Sequence, residues 1–131
     1  MSVQTSTLDN GLTIVSHDMP HVETVALGIW TKAGARDETT EENGLAHLLE
    51  HMAFKGTTTR TAFDIAAGIE AAGGDMNAST SMETTAYYAR VLRNDWELAL
   101  DVIADIVMNP VLQKMIWRWK KASSCRRLRL R

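Results

Sequence analysis

A chain of 131 residues, 45% of them hydrophobic, suffices for one domain with its own core, and it contains no run of about 18 apolar residues that could span a bilayer. Its single cysteine, Cys125, excludes an internal disulfide and fits a reducing compartment. The net charge of -2 hides a division: residues 1–113 hold all 16 acidic groups and 6 basic ones, while residues 114–131 hold 8 basic groups and no acidic one. The first ten residues have neither a basic n-region nor an apolar h-region, so no secretory signal is expected.

In chain order, Asp9-Asn10-Gly11 signals a turn ahead of the apolar run Leu12 to Val15, and Met19-Pro20 ends that strand. Val22 to Thr31, with Val25, Leu27, Ile29 and Trp30, reads as a buried strand. These two segments are expected to pair as a hairpin. Ala33 to Glu42 is a polar loop. Glu41 to Phe54 is a predicted helix, because Leu45, Leu48, Leu49 and Met52 recur at intervals of three and four. Thr61 to Ala72 is a second helix, stopped by Gly73-Gly74. Met76 to Thr80 and Thr84 to Leu92 are strands joined near Ser81-Met82-Glu83. Asn94 or Asp95 caps a third helix, Trp96 to Met108, with Leu98, Val102 and Ile106 on one face, and Asn109-Pro110 closes it. The order β-β-α-α-β-β-α predicts an α+β fold with helices packed on a mostly antiparallel sheet.

The segment His47-Leu48-Leu49-Glu50-His51 carries the chemistry. On a helix, residues four apart share a face, so both imidazoles reach one zinc ion at about 2.0–2.1 Å. Glu50 lies at the edge of that face, where a carboxylate can take a proton from water that zinc has acidified to a pKa near 7. A metal that also polarises a carbonyl makes peptide-bond hydrolysis the expected reaction. The alternative is a helix face with polar decoration only. Leu48 and Leu49 weigh against it, because titratable groups beside a buried face are costly unless they have a partner.

His-x-x-Glu-His is the inverzincin order. The stretch Gly44 to Thr57 resembles the pitrilysin-type zinc metallopeptidases of family M16, in particular the mitochondrial processing peptidase branch and its bacterial relatives. Leu8-Asp9-Asn10-Gly11-Leu12, Gly34-Ala35-Arg36-Asp37-Glu38, Gly73 to Ala78, Thr84 to Val91 and Met108-Asn109-Pro110 extend the likeness over residues 8–111. The resemblance implies a Zn2+-dependent endopeptidase acting on peptides or presequences inside a chamber of two similar halves. It implies His47 and His51 as zinc ligands and Glu50 as the general base. Asn77 and Ala78 match an edge strand that binds extended substrate by β-augmentation. A second half or a homologous subunit is the implied protein partner, and neither nucleic acid nor membrane is expected as one. Tyr87 and Tyr88 read as core or sheet-face aromatics, and His17 and His21 as surface residues. The missing leader favours a bacterial cytoplasm, with the mitochondrial matrix as the alternative.

The likeness divides the chain into 1–111, the N-terminal part of a peptidase domain, and 112–131, an aberrant basic tail. The resemblance implies a third zinc ligand, a glutamate, at position 127, where Arg127 stands, and a supporting glutamate at position 120, where Lys120 stands. A cation cannot ligate zinc and repels it. Permitted codons for Met115 to Arg131, read from the third base of each, give Asp-Met-Glu-Val-Glu-Lys-Gly-Val-Ile-Leu-Gln-Glu-Ile-Glu-Ile-Glu, which places glutamates at both positions. The tail is therefore expected to be a frame-shifted reading of a family sequence. The other reading is a natural basic tail that docks on nucleic acid or anionic lipid. With two histidines and no third ligand, activity is expected to be weak or lost. The alternative function is a non-catalytic peptide-binding or dimerising module of an M16-type assembly.

Overall fold

A computed structural model describes residues 3–112. The chain opens with a hairpin of β1 (Val3–Thr7) and β2 (Thr13–His17), in antiparallel register from Val3 opposite His17 to Thr7 opposite Thr13. Gly11 makes the turn at φ +86°, and the Leu12 N–H donates to Asn10 Oδ1 at 3.0 Å. The expected strand after the turn is present, but its partner is β1 and not the strand that follows. The Asp-Asn-Gly turn closes the hairpin locally, and β3 (Thr24–Thr31) is committed elsewhere. β1 carries Thr, Gln and Ser and is exposed along its length, so hydrophobic periodicity gave no sign of it.

β3 joins β4 (Asp75–Thr80) and β5 (Thr85–Leu92) in a three-stranded antiparallel sheet of order β3–β5–β4. Alternation assigns Val25, Leu27 and Ile29, then Tyr87, Ala89 and Val91, then Met76 and Ala78 to one face. Three helices bury that face: α1 (Leu45–Ala53), α2 (Ala62–Ala71) and α3 (Trp96–Met108). Ala53, Ile65, Ile69, Ala78, Tyr87, Ala89, Val91, Ala99, Val102, Ile103 and Ile106 form one core cluster. The buried stripe of α3 is Ala99, Val102, Ile103 and Ile106, spaced i, i+3, i+4, i+7. Leu98, expected on that stripe, is 39% exposed, one position round the helix from it. The fold is α+β, as the element order predicted.

α1 starts at Leu45 and not at Glu41. Gly44 sits at φ +88°, a left-handed conformation that no helix propagates through, so Glu41–Gly44 are turn. α2 has a reciprocal N-terminal box, in which Asp64 N–H donates to Thr61 Oγ1 at 3.2 Å and Thr61 N–H to Asp64 Oδ2 at 2.9 Å. The loop between α1 and α2 is tied to α3 through buried Asp105. Its Oδ2 accepts from Thr57 (2.6 Å), Thr59 (2.8 Å) and Arg60 (2.8 Å), and its Oδ1 from Asn109 (2.9 Å). Arg60 also pairs with Asp101.

Candidate metal centre

α1 presents His47 and His51 on its exposed side, one turn apart, while Leu48, Leu49 and Met52 turn partly inward and Ala53 is buried. The imidazole centroids lie 4.6 Å apart, and the two Nε2 atoms face each other at 2.7 Å. Both rings thus aim the same nitrogen at one point. Two ligands of a tetrahedral zinc at about 2.05 Å stand roughly 3.3 Å apart, so a small opening of the rings fits the pair to the metal. At 2.7 Å one ring can donate to the other, the roles being set by the tautomers. Among the described residues, no group of three or more His, Cys, Asp or Glu side chains gathers to hold a metal. The donors supplied by the described part of the chain are therefore these two nitrogens, and position 127 lies outside it.

Glu50 is half-buried and points from α1 towards the sheet, where the Thr80 hydroxyl at the end of β4 donates to its Oε2. Behind it, Tyr87 is buried with its ring 6.3 Å from that of Phe54. Burial and then the neighbouring Glu50 charge raise the Tyr87 phenol above its ordinary pKa, which keeps it neutral in the core. Tyr88 points to the other face of the sheet and is 38% exposed. His17 and His21 are exposed, as the sequence suggested.

Asn77 and Ala78 lie in the middle of β4, whose outer edge pairs with no other strand among the described residues. Ala78 turns its methyl into the core, and Asn77 is exposed. The Asn77 Oδ1 accepts the Ala78 N–H at 2.9 Å, so the side chain satisfies a main-chain donor of the edge strand. β4 and α1 are direct neighbours, joined by the Thr80–Glu50 bond. A cleft of about 350 Å3 opens beside His47, lined by Glu38, Asn43, Gly44, Thr80 and Met82 among others.

Two residues of the site carry no local sequence signal. Thr80 reaches Glu50 across 30 positions, and the Glu38 carboxylate accepts the N–H groups of Gly44 and Ala46, each at 2.7 Å. Neither fits a short-range capping pattern, so only the folded arrangement reveals them.

The family model Peptidase_M16, described as insulinase (peptidase family M16), matches residues 13–124, running past Val111 into the basic segment. An uncharacterised zinc protease of Rickettsia felis is 52% identical over 106 residues, which are 81% of this chain and 26% of that protein. The mitochondrial-processing peptidase subunit beta of Neurospora crassa is 46% identical over 114 residues, 87% of this chain and 24% of that protein. Among solved structures, a protease from Helicobacter pylori superposes with a TM-score of 0.78 at 29% identity, over 83% of this chain and 26% of that one. Pitrilysin does so with a TM-score of 0.77 at 30% identity, over 85% of this chain and 12% of that one. The chain spans about a quarter of the length of the curated relatives it matches. With the fold, the histidine pair on its exposed helix and a family model covering most of the sequence, the chain belongs to peptidase family M16, the insulinase family, whose members include zinc proteases.

Proposed function

We propose that this chain carries the metal-binding and water-activating part of a zinc endopeptidase that hydrolyses peptides or presequences. The single observation behind the proposal is the convergence of His47 Nε2 and His51 Nε2 at 2.7 Å on an exposed helix face. Bound there, zinc would supply Lewis-acid polarisation of the scissile carbonyl and a lowered pKa for the attacking water. His47 and His51 would hold the ion through their Nε2 atoms. Glu50 takes the proton from the attacking water and passes it to the departing amine, and the Thr80 hydroxyl fixes the carboxylate for that transfer. The open edge of β4 accepts an extended peptide as an added strand along Asn77 and Ala78, with Asn77 releasing the Ala78 N–H to the substrate main chain.

Two nitrogen donors bind zinc more weakly than three protein ligands, and Arg127 replaces the carboxylate that the family resemblance places at that position. The expected product is therefore a weak zinc binder with little or no turnover. In calorimetric titration, zinc binds with low affinity, and His51→Ala removes the signal. An isotherm unchanged by His51→Ala rejects the assignment.

Arg127, standing where the family resemblance places the third ligand, favours a second reading, a non-catalytic peptide-binding or dimerising module that works with a second half or a homologous subunit. Peptide binding measured with and without a chelator separates the two: indifference to the chelator supports the module. No helix among the described residues is long and apolar enough to cross a membrane. The relatives include bacterial proteins and mitochondrial-processing peptidase subunits; the proposed setting is a bacterial cytoplasm, with the mitochondrial matrix as the alternative.

A further inference from the structure

α1 has nine residues, too few to be stable alone, and its N-cap is Gly44, which offers no side chain to the first-turn N–H groups. Those groups find partners outside the helix. Leu45 N–H reaches Glu42 O at 2.9 Å, while Gly44 N–H and Ala46 N–H go to the two oxygens of Glu38 at 2.7 Å each. These are short, charge-assisted bonds, and the carboxylate sits at the positive end of the helix dipole. Ala46 immediately precedes His47.

Glu38 is itself anchored. The segment before it docks on the β4–β5 turn: Ala35 N–H donates to Ser81 O at 3.0 Å and Arg36 N–H to Met82 O at 2.8 Å. Arg36 also pairs with Glu83. The approach is so close that a Cβ at Gly34 would lie 2.6 Å from Ser81 O and 2.7 Å from Met82 O. On the other side of α1, Glu50 bonds Thr80, the residue next to Ser81. The helix is thus held to one end of β4 at two points, at its first turn through Glu38 and at its middle through Glu50.

We propose that Glu38 is a positioning residue for the metal-binding helix, its carboxylate on Gly44 and Ala46 fixing the direction in which α1 presents His47 and His51. The metal part of this inference rests on the proposed zinc site; the effect on the metal-free histidine pair does not. The role belongs to a side chain nine residues upstream of His47, outside the His-x-x-Glu-His segment.

The test uses the full chain as wild type, Glu38→Ala, Glu38→Gln and the control Thr61→Ala, which removes the N-cap of α2 away from the site. Co2+ affinity is read from its visible absorption, and the metal-free proteins are examined by amide exchange at Ala46 and by the NOE between the His47 and His51 rings. Glu38→Ala is expected to weaken Co2+ binding about tenfold, to speed exchange at Ala46 and to diminish the ring-to-ring NOE. Glu38→Gln, which keeps one acceptor, recovers part of each effect and carries the test should Glu38→Ala fail to fold. Thr61→Ala lowers the melting temperature but leaves Co2+ affinity and the NOE as in wild type. Glu38 variants that lose only melting temperature, with affinity and NOE matching the control, overturn the proposal. If wild type binds no Co2+, the zinc assignment falls, and the NOE and exchange rates decide the role of Glu38 alone.

Discussion

His47 and His51 are useful to a metal because both direct Nε2 outward from the same side of a helix whose other side is held in the core. Their Nε2 atoms stand 2.7 Å apart, one helical turn from each other, so both lie within reach of a single ion. At this scale a position with no functional group is also sensitive. Gly34→Ala would push a methyl against the carbonyl oxygens of Ser81 and Met82, which as main-chain atoms cannot swing aside. Urea denaturation should show a loss of about 2 kcal/mol, in the range of overpacking a tight contact. Because the same segment carries Glu38, Co2+ affinity should fall in parallel.

At the scale of elements, α1 and α2 are started by different devices, and the device decides how each responds to substitution. α2 uses a local box, so Thr61→Ala should lower stability by about 1 kcal/mol. The Thr61 side-chain and main-chain bonds also lower the Asp64 pKa below the ordinary carboxylate range. α1 relies on a carboxylate six residues before its cap, so its start depends on tertiary structure. β4 gives the sheet an edge that the proposed function uses. Ala78→Pro removes the main-chain donor that faces outward from that edge, where proline is compatible with a strand, and leaves the β4–β5 ladder in place. Anisotropy with a labelled extended peptide should show at least about a tenfold loss of binding while the circular dichroism spectrum is kept. Peptide affinity equal to wild type would remove β4 from the binding surface.

Across the whole molecule, Asp105 binds the α1–α2 loop to α3, and its charge depends on pH. The Thr57 hydroxyl bond, followed by those of Asn109, Arg60 and Thr59, holds its carboxyl well below the usual range against the opposing effect of burial. A folded-state pKa below the unfolded value contributes stability that is complete above the unfolded pKa, near 3.8, and declines as pH falls through the folded one. The urea midpoint should therefore drop as pH is lowered from about 5 towards 2. Asp105→Ala, which strands four donors, should lower stability by roughly 3 kcal/mol at neutral pH and flatten that acid dependence. A variant with an undiminished acid slope would show that other carboxylates govern it.

The sequence by itself determined every helix and strand from β2 to α3, the α+β class and the His-x-x-Glu-His helix, because each depends on spacing within a dozen residues. α3 was legible end to end, and β3, β4 and β5 to within two residues, since half-buried segments advertise their period. β1 was invisible because its exposed side chains show no period, and the pairing of β2 was misjudged because adjacent strands need not be partners. Only the tertiary structure decided that Thr80 would hold Glu50, that Glu38 would start α1, and that Leu98 would face solvent. Those outcomes depend on which surfaces meet once the chain has closed on itself, and local periodicity holds no information about contacts between residues so far apart in sequence.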